Sequence, residues 1–314
     1  MRHRRGIPMA DTNNVQLVVV GSIGIDTIET PTERREEILG GSASYACAAA
    51  SFFTSTGLVG VVGTDFPQEC TDLYRKLGIN LDGLQTLPGK TFRWTGVYEQ
   101  NMDNRRTICT DLNVFASFMP DLPPSYRKSP FLFLANIQPS LQLHVLDQME
   151  KPRFVVADTM DLWINTAKDD LLKLLKRVDL LTLNESEARR LSGQQVLLKA
   201  ARALLGLGPK YILIKKGEHG SILFSGKDLF LMPAFPLEEI RDPTGAGDSF
   251  AGGFIGALAS VGKVSETTIH RAMIYGSVVA SFGVEQFSLD RFRDLTLEQI
   301  EGRASLLREM MRIR

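Results

Sequence analysis

The chain has 314 residues, of which 44% are hydrophobic, so it can bury a substantial core as one large or two smaller α/β domains. Lysine plus arginine equals aspartate plus glutamate at 36 each, and this balance gives no overall field that favours nucleic acid or an anionic membrane. Three widely spaced cysteines indicate thiols in a reducing cytoplasm, and four scattered histidines support neither a zinc site nor a histidine-based triad.

The start of the chain is basic, but no apolar segment of signal-peptide length follows it. We expect residues 1–14 to form a disordered leader. No apolar run approaches the roughly 18 residues that cross a bilayer. Residues 15–314 contain no Pro/Gly/Ser-rich linker, internal repeat or low-complexity segment, and we treat them as one domain.

The first apolar run, Leu17–Val20, predicts a buried strand. Gly21 and Gly24 follow it, which suggests a dinucleotide fold, but the third glycine is missing and residues 27–31 do not read as a helix. A nicotinamide-dependent oxidoreductase is therefore poorly supported. Asp26 ends this stretch, and its carboxylate could accept two hydroxyl hydrogen bonds from a polyol or cap its own turn.

A glycine pair, Gly40 and Gly41, opens a run of small residues that ends near residue 50 and predicts a buried helix. The two glycines allow the backbone to approach a ligand closely. Residues 57–65 then predict a strand and turn, and residues 70–77 predict a helix, which completes a βαβ unit.

From Thr91 the hydrophobic period changes to two. Phe92, Trp94 and Tyr98 alternate with mostly polar residues, which predicts a half-exposed strand. Residues 101–104 supply turn chemistry, and residues 106–110 predict the partner strand of a hairpin.

The second half of the chain returns to alternating strands and helices. Short apolar runs at 131–135, 154–157, 180–183 and 211–214 are separated by helical stretches such as 169–177. This alternation predicts a mostly parallel central sheet with helices on both faces.

The nine residues from Asp242 to Phe250, Asp-Pro-Thr-Gly-Ala-Gly-Asp-Ser-Phe, place a carboxylate where a glycine-rich turn opens a helix. Gly245 and Gly247 carry no Cβ, so their amides can approach phosphate oxygens, and a helix start favours an anion. Asp248 can take a proton there. The small apolar residues at 251–259 suit a buried helix.

This segment resembles the C-terminal signature of the ribokinase-like, or PfkB, family of carbohydrate and nucleoside kinases, with Pro243 where the family usually has Thr. The glycine pair resembles the N-terminal signature, with Tyr45 in place of the common Asn and Ser42 where ribokinases proper have Lys. The resemblance covers nearly the whole chain. It implies a ribokinase-like α/β fold with a mostly parallel central sheet, helices on both faces, and a small β lid from about 22–39 and 89–112.

The resemblance further implies an ATP-dependent kinase that uses Mg²⁺ and phosphorylates a hydroxymethyl group of a sugar or sugar-like molecule. Asp248 would be the general base, and the amides of Gly245, Ala246 and Gly247 would stabilise the transferring phosphoryl group. The substrate would be bound by Asp26, Gly40, Gly41, Ser44, Asn113 and Gln138. The nucleotide would be bound by Asn184, Glu187, Lys215, Gly217, Gly220 and Thr244.

Two ion sites are also implied by the resemblance: Glu187 would reach Mg²⁺ through water, and Asp242 would hold K⁺ in the manner of many relatives. Other interpretations stay open. Asn184 and Glu187 would also form a capping box, and residues 215–220 would also form a plain turn between strands. The aromatic face of the lid could cover a ligand or join two lids in a homodimer.

The alternative within the same family is a nucleoside kinase, because aromatic side chains such as Phe92, Trp94, Tyr45 and Phe115 could stack on a base. From other classes, a non-catalytic sugar sensor would be expected to lose Asp248 or the glycine turn, and neither is lost. The expected partners are ATP and a small-molecule substrate, without nucleic acid or membrane.

Overall fold

The computed structural model describes residues 15–102, 105–226 and 228–312. The predicted leader at 1–14 and half of the predicted turn at 101–104 lie outside the described residues. Within the described part of the chain, no helix is both long and apolar enough to cross a membrane.

The described residues form thirteen strands. In chain order they are β1 (Leu17–Val20), β2 (Gly24–Glu29), β3 (Arg34–Gly40), β4 (Thr56–Gly63), β5 (Asn80–Leu87), β6 (Phe92–Tyr98), β7 (Arg105–Asp111), β8 (Phe131–Leu134), β9 (Phe154–Asp158), β10 (Leu180–Asn184), β11 (Tyr211–Lys215), β12 (Ser221–Phe224) and β13 (Leu229–Met232).

The same residues form ten α-helices. They are α1 (Ser42–Ser51), α2 (Gln68–Lys76), α3 (Pro139–Gln148), α4 (Asp161–Thr166), α5 (Lys168–Leu175), α6 (Glu185–Ser192), α7 (Leu197–Leu205), α8 (Ala246–Val261), α9 (Glu266–Gly283) and α10 (Leu297–Met310).

The central sheet has nine strands in the order β13-β12-β11-β10-β9-β8-β1-β4-β5. The seven strands from β11 to β5 are parallel, and β12 and β13 add an antiparallel edge. All four residues of β1 are buried, as expected for a parallel strand that is covered on both faces. The predicted parallel sheet is confirmed, whereas β5 and β13 were not predicted.

Two hydrophobic layers cover the sheet because successive side chains of a strand point to opposite faces. Leu17 and Val19 of β1 pack into the layer that includes α1, α8, α9 and α10. Val18 and Val20 pack into the other layer, which includes α3, α5, α6 and α7. Because the parallel strands all run one way, the residues that follow β1, β8, β9, β10 and β11 meet at one edge.

Helices α1 and α8 pack closely through small residues. A Cβ at Gly252 would lie 2.2 Å from Ala46 O, and one at Gly256 would lie 2.7 Å from Ala50 Cα. The contacts run in the same direction along both helices, so their N-termini lie at the same end of the molecule. The predicted buried helix is confirmed, and its packing brings the two glycine-rich turns together.

A second sheet of four strands, in the order β3-β2-β6-β7, forms the predicted lid. Strands β2 and β6 are parallel, and the outer pairs are antiparallel. On this sheet, Ile28 and Tyr98 are buried with Phe287, which lies after α9. This contact docks the lid on the main body, while β7 is exposed along its whole length.

Candidate active site

The turn before α8 has the conformation that its glycines predict. Gly245 has φ +72°, in the left-handed region that favours glycine, and a Cβ there would lie 2.3 Å from the Tyr45 ring. The first amides of a helix have no intrahelical acceptors, so this end of α8 can bind an anion. The Ala246 N–H already donates to Pro243 O at 3.2 Å, so it would have to exchange that bond for a phosphate oxygen.

Asp248 lies half-buried in the first turn of α8. Burial and the nearby Asp158 carboxylate raise its pKa to about 7, while Lys215, Arg105 and its own backbone N–H oppose the shift. A carboxyl whose pKa lies near neutral pH can release and accept a proton under ordinary assay conditions. The position and the pKa therefore both suit a general base.

Lys215 places a positive charge beside this turn. Its Nζ lies 2.9 Å from Asp158 Oδ2, and a Cβ at Gly247 would lie only 3.1 Å from that Nζ. Burial lowers the pKa of Lys215, but the carboxylates of Asp158, Glu187 and Asp248 together outweigh burial and raise it. The ammonium therefore stays protonated at neutral pH. Sequence reasoning noted Asp158 after a predicted strand, together with Gln138, but assigned it no role, although the carboxyl end of a parallel strand was a usable signal.

Asn184 and Glu187 form the capping box that was one of their two interpretations. Asn184 Oδ1 accepts from Glu187 N at 2.8 Å, and Glu187 Oε2 accepts from Asn184 N at 2.7 Å. Burial and the Asp158 carboxylate raise the pKa of Glu187 to about 7. Nowhere in the described residues do three or more His, Cys, Asp or Glu side chains gather as a metal site.

Asp26 lies within β2 of the lid and is buried, and its Oδ1 has no hydrogen-bond partner among the described residues. Burial and the Asp242 carboxylate raise its pKa to about 8, and Arg105 opposes this shift. A Cβ at Gly40 would lie 1.9 Å from Asp26 Oδ2, so the glycine leaves room for the carboxylate. Gly41 has φ +96° at the start of α1, against Ser22 O. A buried oxygen without a partner is a natural place for a ligand hydroxyl.

Three other predicted substrate residues, Ser44, Asn113 and Gln138, have surroundings that differ from those of Asp26. Ser44 is fully buried, donates to Gly40 O at 2.6 Å and bonds to Tyr74 OH at 2.7 Å, so it points into the core and not toward a ligand. Asn113 donates from Nδ2 to Thr91 O at 2.9 Å and thus closes its own loop. Gln138 is exposed at the start of α3.

The turn at 242–247, which leads into α8 and is named the phosphate turn for its proposed role, is tied to the lid by a hydrogen bond that sequence reasoning did not foresee. Thr244 Oγ1 donates to Tyr98 OH at 3.0 Å. The buried Asp242 fixes the same turn, because its Oδ1 accepts from Thr244 N at 2.9 Å and its Oδ2 accepts from Ser288 N at 3.2 Å. The side chains of Thr244 and Asp242 therefore both organise the turn.

A cavity of about 430 Å³ opens beside the phosphate turn. Of the predicted nucleotide residues, Lys215, Gly217 and Gly220 line it. The other lining residues include Asn101, Met102, Phe235, Ala246, Gly247 and Ser281. Its size and mixed lining suit a nucleotide. Asn184, Glu187 and Thr244 are not among the lining residues.

Arg303 of α10 supports one wall of this cavity from behind. Its guanidinium lies 4.8 Å from the centre of the Phe235 ring and 3.4 Å from that of Phe282. It also donates to Ser281 Oγ at 2.9 Å and pairs with Glu285 at 2.6 Å. Two lining side chains, Phe235 and Ser281, are thus held by a single cation.

Comparisons with known proteins find relatives of this chain in sequence and in fold. A sequence model described as pfkB family carbohydrate kinase matches residues 14–292. The cytidine kinase of Thermococcus kodakarensis is 33% identical over 246 residues, which is 77% of this chain and 87% of the relative. The ribokinase of Bacillus subtilis is 26% identical over 290 residues, or 86% and 94% of the two chains. A crystal structure described as an E. coli ribokinase II with ATP and Mg²⁺ aligns with a TM-score of 0.76, 18% identity, and coverage of 93% and 99%.

Proposed function

The chain belongs to the PfkB family of carbohydrate kinases and is a phosphotransferase with an alcohol group as acceptor; we propose that Asp248 is its general base. The reaction consumes ATP and a hydroxymethyl compound and yields ADP, the phosphate monoester and a proton. The observation that carries this assignment is the Asp248 carboxyl, whose pKa is raised to about 7 in the first turn of α8 beside Lys215. The Asp248 carboxyl thus places a base next to a turn that can bind an anion.

In the proposed step, Asp248 takes the hydroxyl proton as the oxygen forms a bond to the γ-phosphorus and the bond to the bridging oxygen of ADP breaks. The amides of Gly245 and Gly247, joined by that of Ala246 once it releases Pro243 O, stabilise charge on the equatorial oxygens. Lys215 adds a fixed positive charge beside Gly247. Most of the catalysis comes from positioning and electrostatics, because a loose transition state needs little help from a strong base.

For the acceptor, we propose a sugar or sugar-like ring whose secondary hydroxyls bind Asp26, because one buried oxygen of this residue has no hydrogen-bond partner in the described part of the chain. Gly40 and Gly41 would let the ring approach the backbone. A nucleoside is the second candidate, since it carries the same hydroxymethyl group and the 33% identical relative is named a cytidine kinase. Trp94 on the lid offers a half-exposed ring for a base.

Mg²⁺ would be held by the ATP phosphates and by water on Glu187, whose second oxygen is not used by the capping box. When bound, it neutralises charge on the phosphates. A K⁺ ion at Asp242 stays a prediction. The Asp242 carboxylate accepts hydrogen bonds from two backbone N–H groups and retains lone pairs that could bind the cation. Equal activity in K⁺ and in a bulky organic cation would remove the K⁺ site.

The direct test is ADP formation from ATP against a panel of sugars and nucleosides, with Mg²⁺ and K⁺ present. We expect acceptor-dependent turnover with at least one sugar. Turnover with nucleosides alone would replace the first acceptor by the second and keep the chemistry. Absence of turnover with every hydroxymethyl compound would contradict the proposed function.

Two further expectations follow from the surface. Strand β7 is an exposed edge, and Ile108 within it and Leu112 just after it are half-exposed, which supports either a cover for ligand or a contact between the lids of a homodimer. Light scattering of the wild type and of Ile108→Lys decides between them.

An exposed free thiol at Cys109 supports a reducing cytoplasm as the site of action.

A further inference from the structure

We propose that Asp158 is a positioning residue for phosphoryl transfer, which holds the Lys215 ammonium against the first turn of α8. The inference rests on the proposed function and deepens it, because it assigns the origin of the fixed charge at the transferring phosphoryl group. The two residues come from strands that are not neighbours. Strand β10 lies between β9 and β11 in the sheet.

The sheet geometry shows why the pair needs a long side chain. Neighbouring strands lie about 4.8 Å apart, so the carboxyl ends of β9 and β11 are about 10 Å apart. In register, Asn184 of β10 lies beside Lys215, and Thr182 lies beside Asp158. Lys215 therefore reaches across the end of β10 to bring its Nζ within 2.9 Å of Asp158 Oδ2. A lysine spans that gap, whereas a shorter cation would not.

Asp158 is also held by bonds other than the one to Lys215. Its Oδ1 accepts from Thr159 N at 2.9 Å, and its backbone O accepts from Gln142 Nε2 at 3.1 Å. Gln142 is fully buried and also donates to Leu134 O and Ala135 O, so it joins the ends of β8 and β9. The carboxylate that receives Lys215 is thus fixed before any ligand arrives.

The surroundings of the pair point to the phosphate turn. The side chains of Lys215 and Asp158 are 17% and 5% exposed, and Gly247 is the residue whose missing Cβ leaves room for the ammonium. A buried ion pair contributes little net stability compared with apolar packing, so stability alone does not account for one at this place. A free lysine is flexible, and the bond to Asp158 removes that freedom at the point where negative charge develops.

Four charged or ionisable groups face Asp248: Asp158 from β9, Lys215 from β11, Arg105 from β7 and the Tyr45 phenol from α1. The two members of the ion pair act on it in opposite directions, since Asp158 raises the pKa of Asp248 and Lys215 lowers it. Removing one member should therefore move the acid limb of the pH profile one way, and removing the other should move it the opposite way.

The experiment compares Asp158→Asn, Lys215→Met and the double variant with Lys210→Met as the matched control. Lys210 pairs with Asp179 at 2.8 Å at the opposite end of β11, so its loss removes a similar pair far from the turn. We expect kcat to fall about 10-fold or more in Asp158→Asn and about 10²-fold or more in Lys215→Met, with the acceptor KM little changed. The acid limb should move to lower pH in the first variant and to higher pH in the second.

Asp158 acts on the phosphoryl group through Lys215, so the double variant should have the kcat of Lys215→Met alone at high pH, where Asp248 is ionised in every variant. Additive losses in the double variant would overturn the inference, as would an Asp158→Asn enzyme with wild-type kcat and pH profile. Circular dichroism and a thermal scan of each variant establish that it is folded.

A second measurement needs no acceptor. Calorimetric titration with ATP and with ADP, both with Mg²⁺, gives the affinity that the γ-phosphate adds. We expect Asp158→Asn and Lys215→Met to reduce this ATP advantage and Lys210→Met to preserve it. An unchanged advantage in Asp158→Asn would overturn the inference even if no acceptor is phosphorylated, whereas failure of the acceptor panel concerns the proposed function alone.

Discussion

Replacing Asp248 by Asn tests the catalytic assignment most directly. Asn keeps the size of the side chain and loses the ability to take a proton. A positioned general base contributes about 10²-fold or more to the rate, so kcat should fall by at least that factor. The variant should remain folded, because the folded protein raises the pKa of Asp248 and thereby disfavours its charged form.

The pH profile of the wild type gives the magnitude. With a pKa of about 7, about one tenth of the Asp248 carboxyls are ionised at pH 6 and about nine tenths at pH 8. We therefore expect kcat/KM to rise about tenfold across that window. An Asp with its ordinary pKa near 4 would be fully ionised throughout and would contribute nothing to this rise.

The assay is a coupled measurement of ADP formation between pH 5.5 and 9, together with thermal unfolding at pH 8. Glu187→Gln is the control, because Glu187 also has a pKa of about 7 but lies at the start of α6. That variant should bind ATP less tightly and keep the acid limb. A flat wild-type profile, or full turnover by Asp248→Asn, would refute the assignment of the base.

Three other substitutions test the surroundings of the site. Gly245→Ala should lower the free energy of unfolding in urea by about 2–4 kcal/mol, because residue 245 has a left-handed φ of +72° and a new Cβ would overlap the Tyr45 ring. Adding Tyr45→Asn should recover only the part of this loss that comes from the overlap. Asp26→Asn should abolish acceptor binding and yet stabilise the ligand-free protein at pH 8 by about 1–3 kcal/mol. The pKa of Asp26 is about 8 in the folded protein and near 4 in the unfolded chain, so this gain in stability should grow as pH rises from about 4 to 8. A gain that stays constant across that range would contradict the burial of the Asp26 charge. Arg303→Met should raise the KM for ATP about 3–10-fold with the acceptor KM unchanged, whereas Arg308→Met, which removes a similar contact on the Tyr275 ring, should leave both constants as they are.

Features that depend on local chemistry were predictable from the sequence. A glycine is needed at Gly245 because of its positive φ, and the turn was read from that residue and its neighbours. The buried strand Leu17–Val20 was found with its exact bounds because a parallel strand covered on both faces is apolar throughout. The lid was found from its period of two and from the family resemblance.

Features that depend on side-chain direction or on distant partners were not predictable. Ser44 lies in a signature segment, yet the rotation of α1 about its axis decides whether the Ser44 side chain faces a ligand or Tyr74. A sequence does not show that rotation. The bond between Thr244 and Tyr98 joins residues 146 positions apart. The pair of Asp158 and Lys215 requires knowing that β10 separates their strands. The capping box of Asn184 and Glu187 shows the converse, because a local pattern identified it correctly.

The hairpin between β6 and β7 reaches two parts of the proposed site. Its turn residues Asn101 and Met102 line the cavity beside the phosphate turn, and Tyr98, next to the same hairpin turn, bonds to Thr244 of the phosphate turn. A ligand that shifts the hairpin would therefore act on the cavity and on the phosphate turn together. Thermodynamic linkage requires any such effect to be mutual, so whatever factor the acceptor contributes to ATP affinity, ATP must return to the acceptor.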